Sequence, residues 1–227
     1  MIIPEHIGFI LDGNRRWAKE QGLTKYEGHF AGYKALKEVL QEAYDRGIKY
    51  VSVYAFSSEN WQRDSDEVSR LMRLALHAIT SDLKGLIEQK VRVRMLGRTD
   101  GLSSKLLKAV EKAESATDHF TRGTLAICLN YGGQQEIVDA ARRCLQDGLS
   151  AEEITEKTLS ERLYAPEVPP VDMVIRTSGE HRLSNFMLWR VAYSELYFLD
   201  KFWPEMTKED ITDIIEEYNR RSRRFGA

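Results

Sequence analysis

Short apolar runs alternate with helical periods along the whole chain. Residues 7–11, 48–55, 91–96, 124–129 and 171–175 have the length and branched-residue content of buried strands. Between them the apolar spacing turns helical. Residues 29–46 run into Gly47, a stop signal for a helix. From near Ser65, the positions Val68, Leu71, Met72, Ala75, Leu76, Ile79, Leu83, Leu86 and Ile87 fall on one helical face. Residues 103–115 and 136–147 predict two more helices, and Thr207 is placed to cap a last one running towards Arg224. Strands alternating with helices predict an α/β fold with a mostly parallel sheet flanked by helices. No repeat, low-complexity tract or linker divides the chain, so residues 1–227 are expected to form a single domain. The prolines between residues 165 and 170 belong to a loop within it.

Polar clusters fall at the strand ends. The first strand runs into Asp12-Gly13-Asn14-Arg15-Arg16, and the second into Ser57-Ser58-Glu59-Asn60-Trp61-Gln62-Arg63. The fourth meets Asn130-Tyr131-Gly132-Gly133, and the fifth meets Arg176-Thr177-Ser178-Gly179-Glu180-His181-Arg182. Open parallel sheets bind ligands outside the carboxyl ends of their strands. Four clusters at four such ends predict one shared site.

Composition narrows the class. Charged residues make up 30% of the chain but the formal net charge is only −2, so no basic field argues for nucleic acid. Cys128 and Cys144 sit among apolar neighbours without a CxxC or His-rich context, as buried thiols in a reducing compartment do. The first residues lack a basic region and cleavage site, and no apolar segment reaches the ~18 residues of a membrane span. A cytoplasmic protein is expected.

The chemistry follows from a conflict at the first cluster. Asp12 would repel the anion that Arg15 and Arg16 attract, and a metal ion between carboxylate and anion resolves this. Magnesium commonly takes one or two carboxylates plus substrate phosphates. Gly13 permits close backbone approach, and the following helix amides can receive phosphate oxygens. Taken alone, the stretch could equally be an Asp cap with solvated arginines. Arg176, Arg182 and Ser184 form a second candidate anion clamp, because the guanidinium fork matches phosphate oxygens. Ser57, Glu59, Asn60, Trp61 and Arg63 combine polar groups with an aromatic wall, or else form a loop anchored by one buried tryptophan. The face from Val68 to Ile87 is either plain core or one wall of a hydrophobic tunnel. No GxxxxGK[ST] loop, strand-bound GxGxxG turn or GxSxG elbow is present, which weighs against nucleotide enzymes and serine hydrolases.

Together, DGNRRWAK, Gly28-His29, YAFSSENW, NYGG, VIRTSGEHRLSNF and the terminal Arg224-Phe225-Gly226 resemble the cis-prenyltransferases, in the family's order and over nearly the whole chain. The resemblance implies a homodimer, a six-stranded sheet with a hydrophobic tunnel, and Mg²⁺ dependence. It implies Z-selective addition of isopentenyl diphosphate to an allylic diphosphate such as farnesyl diphosphate. The expected product is a long polyprenyl diphosphate, undecaprenyl diphosphate for cell-wall glycans. A short- or medium-chain synthase is the alternative within the class, and a non-catalytic partner subunit the alternative outside it.

On that likeness Asp12 holds Mg²⁺ with His181 and Glu195, and Asn60 stands at the position of the proposed proton acceptor. Gly13, Asn14, Arg15, Arg16, Trp17, Lys25 and His29 fall to the allylic substrate. Ser57, Ser58, Glu59, Trp61 and Arg63 surround them. Arg176, Arg182, Leu183 and Ser184 fall to isopentenyl diphosphate, and Arg224 reaches across a dimer. Lys25 stands where an arginine is common, Asp64 where proline is usual, and Gln134 where an arginine is frequent. Leu129 and the Val68–Ile87 face are candidate determinants of product length. Peripheral contact at the inner face of the plasma membrane is expected because the product is apolar.

Overall fold

The computed structural model describes residues 2–221. Six strands form one all-parallel sheet in the order β3-β4-β2-β1-β5-β6. They are β1 His6–Ile10, β2 Tyr50–Ser57, β3 Val91–Leu96, β4 Gly123–Tyr131, β5 Met173–Arg176 and β6 Glu195–Phe198. The α-helices are α1 Asn14–Glu20, α2 Lys25–Asp45, α3 Ser65–Glu88, α4 Ser104–Thr117, α5 Gly133–Gln146, α6 Glu156–Ser160 and α7 Lys208–Arg220. A short 3₁₀ turn, Ser58–Gln62, joins β2 to α3.

The expected strands are present within a few residues. Two differences have plain causes. Helix α2 begins four residues before His29, because Thr24 accepts from the Glu27 amide while Glu27 bonds back to Thr24. Strand β6 is only four half-buried residues, too short for a period to show. The last helix is described as far as Arg220, and Arg224 lies outside the described residues.

Branched and aromatic residues fill both faces of the sheet. Ile7, Phe9, Val51, Val53 and Ile175 pack with Val39, Trp203 and Ile214 on one side. Cys128, Val174 and Phe186 belong to the opposite cluster. Both cysteines are free and buried. The apolar face of α3 divides: Val68 and Ile79 are buried, Leu71, Met72 and Ala75 line a cavity, and Ile87 is exposed. Among the described residues no helix is long and apolar enough to cross a membrane.

The chain leaves β1 towards β2 on one side and β5 towards β6 on the other. The strand order therefore reverses between β1 and β5, where Ile10 stands in register with Arg176. Ligand crevices form at such a reversal.

Candidate active site

Asp12 leaves the end of β1 two residues past Ile10, which brings it to the tip of Arg176. Arg176 Nη2 donates to Asp12 Oδ2 at 2.8 Å, and Nη1 donates to Ser184 Oγ at 2.7 Å. The arginine side chain is 4% exposed and the aspartate 32%. Asp12 is fixed from behind: its carbonyl accepts from Thr177 Oγ1 at 2.7 Å and from the Trp203 amide at 3.0 Å. Its Oδ1 accepts from the Gly13 amide at 2.8 Å.

Gly13 takes φ 101°, turning the chain so that α1 starts at Asn14 beside the carboxylate. Arg16 reaches back between Asp12 Oδ1 at 3.8 Å and Glu180 Oε1 at 3.4 Å, and donates to Ser178 Oγ. Arg15, Arg16, Lys19, Lys25, His29 and Arg63 line a cleft of about 780 Å³ beside Asp12. Its cations share a buried anion, since Glu67 meets Arg63 at 3.1 Å, Lys25 at 3.4 Å and Arg15 at 3.6 Å. Burial alone would raise the Glu67 carboxyl, but Arg15, Arg63 and Lys25 outweigh it and hold the group below the usual range. The departure at Lys25 keeps the charge and loses only the fork.

A second cavity, of about 290 Å³, has two characters. Asp12, Asn14, His29, Asn60, Arg63, Arg176 and Ser184 form its polar part, and Leu36, Leu71, Met72, Ala75, Ala78 and Leu129 its apolar part. Burial pushes the His29 imidazole down to about 4, with Arg63, Arg15 and Lys25 adding to it and Glu67 opposing. His29 is therefore neutral at pH 7. Its Nε2, Asn14 Oδ1 and Arg176 Nε are buried without hydrogen-bond partners among the described residues. Such groups carry a desolvation cost that a polar ligand would relieve. Leu129 also lines a separate void of about 10 Å³ with Ile79, Val93, Met95, Val110 and Ile127.

The remaining sequence-predicted residues divide. Asn60 lines the cavity, but its Oδ1 accepts from the Ser57 amide at 3.2 Å. Ser57 lines it too. Trp61 does not. It donates to Asn130 Oδ1 at 2.7 Å and packs edge-on against Phe56, which anchors the loop, although the ring is 37% exposed rather than buried. Trp17, on α1, lines neither cavity. Glu59 accepts from Asn185 at 2.9 Å, and Ser58 lies against Gly132. Arg182 gives its carbonyl to Arg176, while its own guanidinium is exposed and meets Glu180 at 2.5 Å. Leu183 packs on the Phe186 cluster.

The three metal candidates do not meet within one chain. Glu195 opens β6 opposite Met173, at the amino end of the sheet, and accepts from Arg221 at 3.0 Å. His181 stacks on Phe198, with ring centroids 4.8 Å apart. Among the described residues no group of three or more His, Cys, Asp or Glu side chains is placed to hold a metal. A partly exposed carboxylate beside arginines nevertheless fits magnesium, which usually takes one or two carboxylates plus a substrate's phosphates.

Asn185, Glu67 and Gly32 were not singled out from sequence, and Ser178 stood only within the cluster after the fifth strand. Asn185 lies inside the motif ending SNF, and Gly28 and Gly32 show a small-xxx-small spacing. Those were the available signals.

The family model described as "Putative undecaprenyl diphosphate synthase" matches residues 10–226. An isoprenyl transferase of Thermotoga maritima is 47% identical over 228 residues, covering 100% of this chain and 98% of the relative. A Micrococcus luteus protein named ditrans,polycis-undecaprenyl-diphosphate synthase ((2E,6E)-farnesyl-diphosphate specific) is 43% identical, covering 99% of this chain and 92% of its own. The crystal structure of lavandulyl diphosphate synthase from Lavandula x intermedia, in complex with dimethylallyl diphosphate, superposes with a TM-score of 0.95 at 33% identity, over 99% of both chains.

Proposed function

The chain belongs to the undecaprenyl diphosphate synthase family, the cis-prenyltransferases, and is a prenyl transferase; from that premise we propose that it adds isopentenyl diphosphate to farnesyl diphosphate with Z geometry, repeatedly, to give a long polyprenyl diphosphate such as undecaprenyl diphosphate. The observation that carries this reading is the two-part cavity. Its polar end suits a diphosphate, and its wall of Leu36, Leu71, Met72 and Ala75 suits an isoprenoid chain.

In the reaction, the C1–O bond of the allylic diphosphate breaks as C1 bonds to C4 of the isopentenyl unit, which then loses a proton from C2. Negative charge gathers on the departing diphosphate. Arg15, Arg16, Lys25 and Arg63 border the cleft where it would lie, and preorganised cations there favour departure. Asp12 would hold magnesium, which when bound would supply Lewis-acid neutralisation of the same charge. Neutral His29 offers Nε2 to a phosphate oxygen without a charge of its own. Arg176, Arg182 and Ser184 receive the second diphosphate. An amide is a weak base and the Asn60 oxygen already holds the Ser57 amide, so Asn60 orients substrate while a diphosphate oxygen takes the proton.

A homodimer is part of the proposal. What favours it is that one chain leaves the large side chains of Tyr193 and Leu145 87% and 64% exposed. Peripheral contact with a membrane follows from the apolar product. A short-chain product is the second reading, favoured by the small cavity and the likeness to lavandulyl diphosphate synthase.

The test is product analysis with Mg²⁺, farnesyl diphosphate and labelled isopentenyl diphosphate, with Asp12→Ala alongside. We expect a ladder of long products and a loss of about 100-fold or more in the variant. Products that stop after one or two additions select the second reading. No incorporation from any allylic starter, or an unaffected variant, overturns the assignment.

A further inference from the structure

We propose that Asn185 is a positioning residue for the second diphosphate, holding the Arg176–Ser184 clamp in register with the β2 and β4 ends; this rests on the function proposed above. Ser184 and Asn185 are consecutive residues in the left-handed region, at φ 50° and 65°. Such a conformation costs roughly 1–2 kcal/mol for an ordinary residue, and asparagine tolerates it better than most. The turn is what aims Ser184: its Oγ accepts from Arg176 at 2.7 Å, and its carbonyl accepts from Tyr54 at 3.3 Å.

Asn185 directs its carbonyl and both ends of its side-chain amide to two other strand ends. Its carbonyl accepts from the Gly133 amide at 2.7 Å, and its Oδ1 accepts from the Gln134 amide at 2.8 Å. These are first-turn donors of α5, which lack intrahelical partners. The capping position, Gly132, has no side chain to serve them, so Asn185 caps the helix from another loop. A Cβ at Gly132 would stand 2.7 Å from Ser58 Oγ and 2.9 Å from Asn185 Nδ2, so glycine there makes room for the contact. Asn185 Nδ2 donates to Glu59 Oε1 at 2.9 Å, in the turn that also carries Asn60. One amide thus ties three strand ends together, and none of its bonds runs to α1 or α2, where Arg15, Arg16 and Lys25 sit; Arg63, which follows the tied turn, is held separately by Glu67 on α3 at 3.1 Å. Glu59 is used by this tie rather than by substrate.

The decisive experiment exchanges donor and acceptor. Asn185→Asp keeps an acceptor for Gln134 but sets a carboxylate against Glu59. Asn185→Asp/Glu59→Gln restores the bond with its direction reversed. Asn185→Gly removes both side-chain bonds while favouring the backbone conformation. Steady-state kinetics should show KM for isopentenyl diphosphate rising about tenfold in Asn185→Asp and Asn185→Gly, which is the loss of one charge-assisted hydrogen bond. KM for the allylic diphosphate should stay within about twofold, and the double variant should recover most of the loss. A merely structural role would lower the melting temperature and leave the two KM values in proportion. That outcome, an unchanged KM for isopentenyl diphosphate, or a double variant no better than Asn185→Asp would overturn the inference. If the wild type incorporates no isopentenyl diphosphate, the proposed function fails separately. Calorimetric binding of isopentenyl diphosphate then decides for Asn185: about tenfold weaker binding in Asn185→Asp supports the role, while equal binding, or none to wild type, overturns it.

Discussion

The guanidinium of Arg176 makes contacts that no other side chain at the site could combine. One nitrogen reaches Asp12, another reaches Ser184 and the Arg182 carbonyl, and Nε stays buried without a partner among the described residues. A lysine would keep the charge but lose the planar fork. Arg176→Lys is therefore expected to raise KM for isopentenyl diphosphate by about 10- to 100-fold, from one or two lost bonds to charged groups. Titrating each substrate at saturating levels of the other measures this, and an unchanged KM would remove Arg176 from the clamp. Its importance was legible in the sequence, because it ends an apolar run beside a serine and a glycine. Its partner was not: the Asp12–Arg176 pair depends on β1 lying next to β5, which local pattern does not encode. The partner of Trp61 was hidden for the same reason, since Asn130, which accepts from its indole, is on another strand.

Helix α2 is brought to the site by what it lacks. At Gly32 a Cβ would stand 2.0 Å from Asn14 Oδ1 and 2.9 Å from Trp203 Cδ1, and at Gly28 it would stand 2.2 Å from the Asn14 carbonyl. Trp203 also donates to the Gly32 carbonyl at 2.8 Å. In an exposed helix, Gly→Ala would add about 1 kcal/mol of stability. Here Gly32→Ala is expected to cost about 1–3 kcal/mol by overpacking and to raise KM for the allylic diphosphate, because Asn14 must move. Urea denaturation and allylic-substrate kinetics check both halves, and a more stable variant with normal KM would refute the close-packing account. Helices with long periods, such as α3, could be read directly. The start of α2 could have been read from Thr24-x-x-Glu27, whereas β6 and α6 are too short to show a period and depend on neighbours far along the chain.

At the scale of the molecule, chemistry gathers at the carboxyl ends of the strands while a buried imidazole joins elements at the amino ends. His6, at the start of β1, is fully buried. Its Nδ1 lies 2.9 Å from the Pro169 carbonyl and donates to it, leaving Nε2, 2.7 Å from Ser52 Oγ on β2, to accept the hydroxyl proton. Burial pushes the imidazole down to about 4, although the Pro169 and Pro170 carbonyls pull the other way. The unfolded chain has an ordinary histidine near 6.5. Between those values the unfolded state takes up a proton that the folded state refuses, so stability is full above about pH 6.5 and falls as pH drops towards 4. The loss from His6 alone is about 3 kcal/mol. His29 shifts the same way and adds to the decline in the unliganded protein. Chemical denaturation from pH 7.5 to 4.5 should therefore show falling unfolding free energy, and His6→Asn should lower it at pH 7 while flattening its pH dependence. Because His6 joins β1, β2 and the loop before β5, the strands that carry Asp12, Asn60 and Arg176 should come apart together. Backbone and near-ultraviolet probes should then follow one transition; an unaltered slope in His6→Asn would remove the imidazole as its source.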